Sequence, residues 1–307
     1  MKVKYDSAQL QDQISSTCIN LIMEDAFFGH FLLSINRELS DDGPTLWVRP
    51  SDDDKVIMGI NPDFWSTELK GKNFRMGGIK HEVLHVVFKH LTRAQERLGG
   101  RLRYSNHKLF NIAADLVVNQ YVERNWLIEG AVKLELFPDL NLRKEMDVSY
   151  YYDKLNDFHK EQMENLSQQA QGSGECPNCG ESLGEKSEGS GGGDGEESED
   201  GESEGSGKMQ CPHCGEDISE GQGEGEGQGT GGGSGSSESW SNLQSQFSQG
   251  PGARGGYHGF WEELDQSTES QREVLEEWVD RQIVNAVNRL DSTNTWGDLR
   301  WQTGWNH

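Results

Sequence analysis

Apolar residues recur at three- and four-residue steps over 7–23, where Leu10, Ile14, Cys18, Leu21 and Ile22 mark one face of a predicted helix. After the acidic break Glu24-Asp25, residues 26–35 (AFFGHFLLSI) are apolar nearly all round, which predicts a buried segment. Asp41-Asp42-Gly43-Pro44 reads as a turn. Two short strand candidates follow at 45–48 and 55–60, separated by the charged run at 49–54, and together they predict a hairpin that Asn61-Pro62 ends. Helical spacing returns at 78–93, with Ile79, Val83, Leu84, Val86, Val87 and Leu91 apolar. A polar loop at 97–103 precedes a further helix, N-capped by Ser105 or Asn106 and running to about residue 123. Weaker helical signal covers 148–158, and residues 269–290 form a clear amphipathic pattern with Val274, Leu275, Trp278, Val279, Ile283 and Ala286 in phase. Helices around a small antiparallel hairpin make the expected fold class α+β. The strand candidate at 55–60 is also a candidate edge along which an extended peptide could pair.

Composition divides the chain. Only 33% of its 307 residues are hydrophobic, glycine not counted. The deficit is concentrated: residues 161–250 hold 23 of the 38 glycines and 19 acidic residues against two basic ones, most of the net charge of −24. Such a stretch cannot bury enough apolar surface to fold as one unit. The expected organisation is a domain over 1–160, an acidic Gly/Glu/Ser-rich linker over 161–250 and a C-terminal helical segment over 251–307. Windows 181–207 and 218–238 are expected to be disordered. The tail carries Trp296, Trp301 and Trp305, rings that need burial against the first domain or a protein partner.

Several classes are excluded. A membrane span needs roughly 18 consecutive apolar residues, and no run approaches that. Met1-Lys2-Val3-Lys4-Tyr5-Asp6 is not followed by the apolar stretch of a signal peptide, so the expected location is cytoplasmic. A pI near 4.7 argues against nucleic acid as a partner.

Chemistry is carried first by His81-Glu82-Val83-Leu84-His85, an H-E-x-x-H pattern. At about 100° per residue, two histidines four apart stand about 40° from each other on one helix face, one turn apart. Both imidazoles can then reach one tetrahedral Zn²⁺, while Glu82 projects beside it as a candidate base. The bland alternative is a core helix whose histidines are satisfied by backbone or carboxylates. His90 lies five residues after His85, about 140° round the helix, and could join only if the helix broke. Asp115, inside an apolar helix, is a better third ligand, because a carboxylate there is costly unless paired or metal-bound. The competing role for Asp115 is a buried carboxylate bonded to a backbone amide or an arginine. Ala113 and Ala114 would permit close approach of the two helices, and Asn111 and Asn119 are placed for hydrogen bonds to ligand side chains. A hydrolytic site of this type also needs an oxyanion stabiliser, for which His90, His107, Tyr121 and Tyr152 are open candidates.

These stretches carry a family resemblance. Ala26-Phe27-Phe28-Gly29, Ile60-Asn61-Pro62-Asp63-Phe64, HEVLHVVFKH with Arg93, Asn111-Ile112-Ala113-Ala114-Asp115 with Asn119, and residues 146–155 resemble the bacterial and phage putative metallopeptidase domain found upstream of von Willebrand factor A-like domains. The resemblance covers about residues 8–158. It implies a zincin-like α+β fold with His81, His85 and Asp115 as ligands of a catalytic zinc, Glu82 as base, and a peptide or protein substrate. Its relatives continue into a domain bearing D-x-S-x-S; here Asp265-Gln266-Ser267-Thr268-Glu269 departs at the last position. The alternative expectation is a zinc-stabilised scaffold or protein-binding module on a degenerate peptidase fold.

A second pattern lies in the acidic stretch. Cys176-Pro177-Asn178-Cys179-Gly180 and Cys211-Pro212-His213-Cys214-Gly215 are near-copies, and two such knuckles predict a closed four-cysteine structural zinc site within a ribbon over about 174–218. The spacing between them is long, but loop-closure entropy grows slowly with length. A redox pair or disulfides are the competing readings. Cys18 is expected to be a small core residue.

Overall fold

The structure, a computed structural model, describes residues 6–51, 53, 55–170, 209–210, 217–218, 237–248, 261 and 268–294. The knuckle cysteines Cys176, Cys179, Cys211 and Cys214, and the tail residues Trp296, Trp301 and Trp305, lie outside the described residues. Residues 1–156 and 237–307 form one compact unit, and residues 157–236 a second.

The first unit opens with α1 (Ser7–Glu24), whose N-cap Asp6 accepts from the Ala8 and Gln9 amides through its carboxylate. Its buried stripe is Leu10, Ile14, Thr17, Cys18 and Leu21, so Cys18 is a core residue as expected. Helix α2 (Ala26–Leu32) turns back on α1 at Gly29, where a Cβ would stand 2.5 Å from the Ile22 Cα. Three strands follow: β1 (Asn36–Leu39), β2 (Leu46–Pro50) and β3 (Val56–Ile60). The expected hairpin forms, with β2 and β3 antiparallel in the register Leu46↔Ile60 to Pro50↔Val56. Two expectations need correction. The sheet is mixed rather than antiparallel, because β1 adds parallel to β3; its Asn-Arg-Glu-Leu sequence is half to fully exposed and carries no alternating apolar signal. In the order β1-β3-β2, the strand over 56–60 is central and paired on both sides, so it offers no edge to a peptide; the edges are β1 and β2.

Asn61 caps α3 (Pro62–Thr67), its side-chain oxygen accepting from the Asp63 and Phe64 amides at 2.9 and 3.0 Å. Helix α4 (Lys72–Val87) crosses under β2 and ends where Lys89 takes a left-handed conformation (φ 57°), after which α5 (His90–Arg93) restarts the chain. The single helix expected over 78–93 is therefore broken, and on its far side Lys89 is anchored by Asp280 at 2.9 Å. The expected loop at 97–103 contains a two-residue hairpin, β4 (Arg97–Leu98) and β5 (Arg101–Leu102), turned by Gly99 and Gly100 at positive φ. Helix α6 (His107–Val118) starts at the N-cap Asn106, whose side-chain oxygen accepts from the Leu109 amide at 3.1 Å. After short 3₁₀ turns comes α7 (Val148–Ala170).

Beyond the acidic stretch the chain rejoins the first unit. Helix α8 (Glu238–Ser248) lies inside the region read as linker, and the Ser239 and Asp139 side chains cap each other's amides at 3.0 Å. Helix α9 (Glu269–Asn294) buries Leu275, Trp278, Val279 and Ala286 and packs on α2, α4 and α5. Between them Trp261 is 1% exposed: its indole N–H donates to the Val48 carbonyl at 3.1 Å, and its own carbonyl accepts from Gln95 at 2.6 Å. Within the second unit, β6 (Met209–Gln210) pairs antiparallel with β7 (Asp217–Ile218) on either side of residues 211–216. No helix among the described residues is long and apolar enough to cross a membrane.

Trp261→Ala leaves a cavity beside the sheet and an unmet Val48 carbonyl. It should lower unfolding free energy by about 3–5 kcal/mol, read as a reduced urea midpoint, with Trp261→Phe recovering part of the loss.

Candidate metal centre

The helical spacing of His81 and His85 puts both rings on the face of α4 that meets α6, with ring centroids 4.6 Å apart. Their Nε2 atoms stand 3.0 Å from each other. Asp115 comes up from α6, its Oδ1 lying 3.4 Å from His81 Nε2 and 3.3 Å from His85 Nε2. The three candidate ligands thus converge on one point, buried beneath the surface. Four donors at 2.0–2.1 Å from a tetrahedral ion are roughly 3.3 Å apart, so the observed triangle has the edge length that such an ion requires. The Asp115 Oδ1 accordingly faces the two imidazoles.

Each imidazole is held from behind. Asn119 Nδ2 donates to the Val132 carbonyl at 2.8 Å, which aims its Oδ1 at His81 Nδ1, also 2.8 Å away. An acceptor there assigns the proton to Nδ1 and leaves the lone pair on Nε2, toward Asp115. Asn119 is the member of the asparagine pair that reaches a histidine. His85 is oriented by a residue for which sequence supplied a different role: after the break at Lys89, His90 swings back and sets its Nδ1 2.9 Å from His85 Nδ1. It stands behind a ligand candidate, away from the Nε2 triangle. The His85 ring also packs edge-on against Trp261, with centroids 5.0 Å apart, and Trp261 in turn meets Phe110 of α6. Sequence reading did not single out Trp261, because nothing local to it signals a return to the first unit.

Electrostatics follow from this packing. Burial opposes a charge on His81, but the hydrogen bond and negative charge of Asp115, with smaller help from Glu82 and Asn119, push its pKa up to about 9. Glu82, 1% exposed, lines a cleft together with His81 and Asn119. Gly77 shapes the same cleft: a Cβ there would stand 2.1 Å from the Trp126 carbonyl, so only glycine lets the 126–131 segment close over α4. One residue earlier than the motif, Lys80 is 3% exposed and pairs with Asp25 at 2.6 Å and Glu123 at 3.1 Å, pinning α4 to the α1–α2 junction and to the segment after α6. None of the four candidate oxyanion stabilisers is among the residues lining the cleft. The Tyr152 hydroxyl accepts from the Asn106 amide at 3.1 Å, and Tyr121 is an exposed ring beside Phe88.

A family model described as a putative metallopeptidase domain matches residues 11–290, a span that takes in both the α4–α6 site and most of α9. Among curated proteins none matches the chain, and among solved structures none does.

Because His81 is raised, the ion-free imidazolium–carboxylate contact contributes stability in full below the ordinary histidine value of about 6.5, and that contribution is lost as pH climbs through about 9. Chelator-treated protein should show a Tm that falls over this window, and Asp115→Asn should flatten the fall.

Proposed function

The chain belongs to the putative metallopeptidase domain family, and on that premise we propose that it is a zinc-dependent peptidase whose centre is His81, His85, Asp115 and Glu82. The observation that carries this reading is the convergence of two Nε2 atoms and one carboxylate oxygen at mutual distances of 3.0 to 3.4 Å, with a second buried carboxylate lining the adjoining cleft. Two imidazoles and a carboxylate are a ligand set suited to zinc with one position left open. A zinc ion held there would supply Lewis-acid polarisation of a peptide carbonyl and would lower the pKa of water in the open position toward about 7.

The remaining work falls to the chain's own groups. Asn119 and His90 hold the Nδ1 protons of His81 and His85, so each ring presents Nε2 as its electron-pair donor. Asp115 neutralises charge at the centre. Glu82 accepts the proton from water at a carboxylate oxygen as the water oxygen bonds to the carbonyl carbon. It then delivers that proton to the amine nitrogen as the carbon–nitrogen bond breaks. The apolar cleft walls keep bulk water from competing for the carboxylate.

The paired knuckles support a further element of the proposal, a structural zinc on Cys176, Cys179, Cys211 and Cys214. Its support is spacing alone, since those residues lie outside the described ones.

Glu82→Gln should retain bound zinc yet lower kcat by about 10²–10⁴-fold on a proteome-derived peptide library, whereas equal cleavage by both proteins would sink the catalytic role. Elemental analysis should find two zinc ions per chain, falling to one in His81→Ala and to one in Cys176→Ser. Asn119→Ala should weaken zinc binding at the first centre by about 10–100-fold in a competition titration, with the cysteine site unaffected.

A further inference from the structure

We infer that the cleft beside Glu82 is a specificity subsite for one bulky apolar side chain of the substrate, of the leucine, methionine or phenylalanine class, at a position flanking the cleaved bond. This rests on the peptidase reading and adds to it a choice among substrates.

The cleft has a buried floor of Leu46, Leu69, Trp126 and Ala131 and a half-buried rim of Phe64, Leu127 and Ile128. Its free space for water-sized spheres is about 50 Å³, room for a few waters and so for one side chain rather than several. The side-chain hydroxyl and amide among its lining residues are already engaged. The Thr45 hydroxyl donates to the Leu46 carbonyl at 2.8 Å, and both ends of the Asn119 amide are taken by His81 and Val132. The charges lining the cleft, on His81 and Glu82, belong to the proposed centre. A charged side chain entering here would lose its hydration among largely apolar walls, while an apolar one would shed water at no such cost. The floor runs directly to His81 and Glu82, so the occupant is the residue adjoining the bond at the centre. Gly78 sets the width: a Cβ there would stand 3.3 Å from one Leu69 methyl and 3.9 Å from a Leu46 methyl, so a larger residue projects into the space.

The test uses full-length protein and peptides differing at one position. With wild type, cleavage products should show leucine, methionine or phenylalanine at a single flanking position, favoured over alanine by at least about 10-fold in kcat/KM. With Glu82→Gln, calorimetric binding of the same peptides should favour leucine over aspartate by at least about 10-fold. Gly78→Val should shrink the leucine-to-alanine ratio by about 10-fold. Ile128→Ala, at the half-buried rim, should shift preference toward phenylalanine and keeps the inference testable where Gly78→Val folds poorly. Cleavage with no preference at either flanking position would overturn the subsite, as would leucine and aspartate peptides binding alike. If wild type cleaves nothing while Glu82→Gln still selects leucine peptides, the subsite stands and the peptidase reading fails.

Discussion

Two imidazole nitrogens and a carboxylate oxygen sit within about 3.4 Å of one another inside the protein, and the rest of the first unit is arranged to make that tolerable. Uncompensated, the arrangement is unfavourable: two lone pairs would oppose each other across 3.0 Å and a carboxylate would be buried. Either a proton or a cation must reside there. The raised His81 pKa shows the first solution, in which Asp115 draws a proton onto the ring. A divalent ion is the second, and it satisfies all three atoms at once where a proton satisfies two. The outer hydrogen bond serves both, since Asn119 keeps a proton on His81 Nδ1 and so points the other nitrogen inward whatever occupies the centre.

Holding those atoms requires α4 and α6 to be fixed along their lengths, and the fixings are electrostatic as well as apolar. Lys80 is buried between Asp25 and Glu123, one residue from His81, so motif and anchor share a turn of helix. It also lies near the Phe28 and Trp126 rings, at 4.8 and 5.7 Å, and their faces favour the cation. An ammonium so placed costs little only while both carboxylates remain, which makes the α1–α2 junction part of the geometry of the centre. On the opposite side, Ala113 and Ala114 are fully buried and leave room for α4, while Trp261 and Phe110 close the space behind His85.

What could be read in the sequence was what local periodicity encodes. The face shared by His81 and His85, the N-cap Asn106, the hairpin and the amphipathic α9 follow from spacing along one element. Asp115 and Asn119 were legible because a polar residue in an apolar helix demands a partner. The role of His90 was not, since it depends on Lys89 adopting a left-handed conformation that no glycine announces and that contacts from α9 hold in place. Nothing local to Lys80 marks it as buried, its two partners being 55 and 43 residues away. Strand β1 escaped for the opposite reason: it pairs through its backbone, and its side chains carry no pattern.

Trp261 poses the sharpest case of a non-local constraint. It reaches the back of the metal-type centre only after residues 171–236 have intervened, and α9 follows it onto α4 and α5. Loop closure of this kind costs only about 0.6 kcal/mol more for each doubling of length, so even a long acidic insertion leaves the return affordable to a buried tryptophan hydrogen-bonded through both its indole N–H and its backbone carbonyl. The family match, over residues 11–290, likewise takes in sequence on both sides of the acidic stretch. Composition marks where the polypeptide changes character; it says nothing of whether the chain later comes home. In this protein one of the rings packed against His85, Trp261, comes from beyond the acidic stretch, so the integrity of the centre depends on sequence that composition alone would assign to another region.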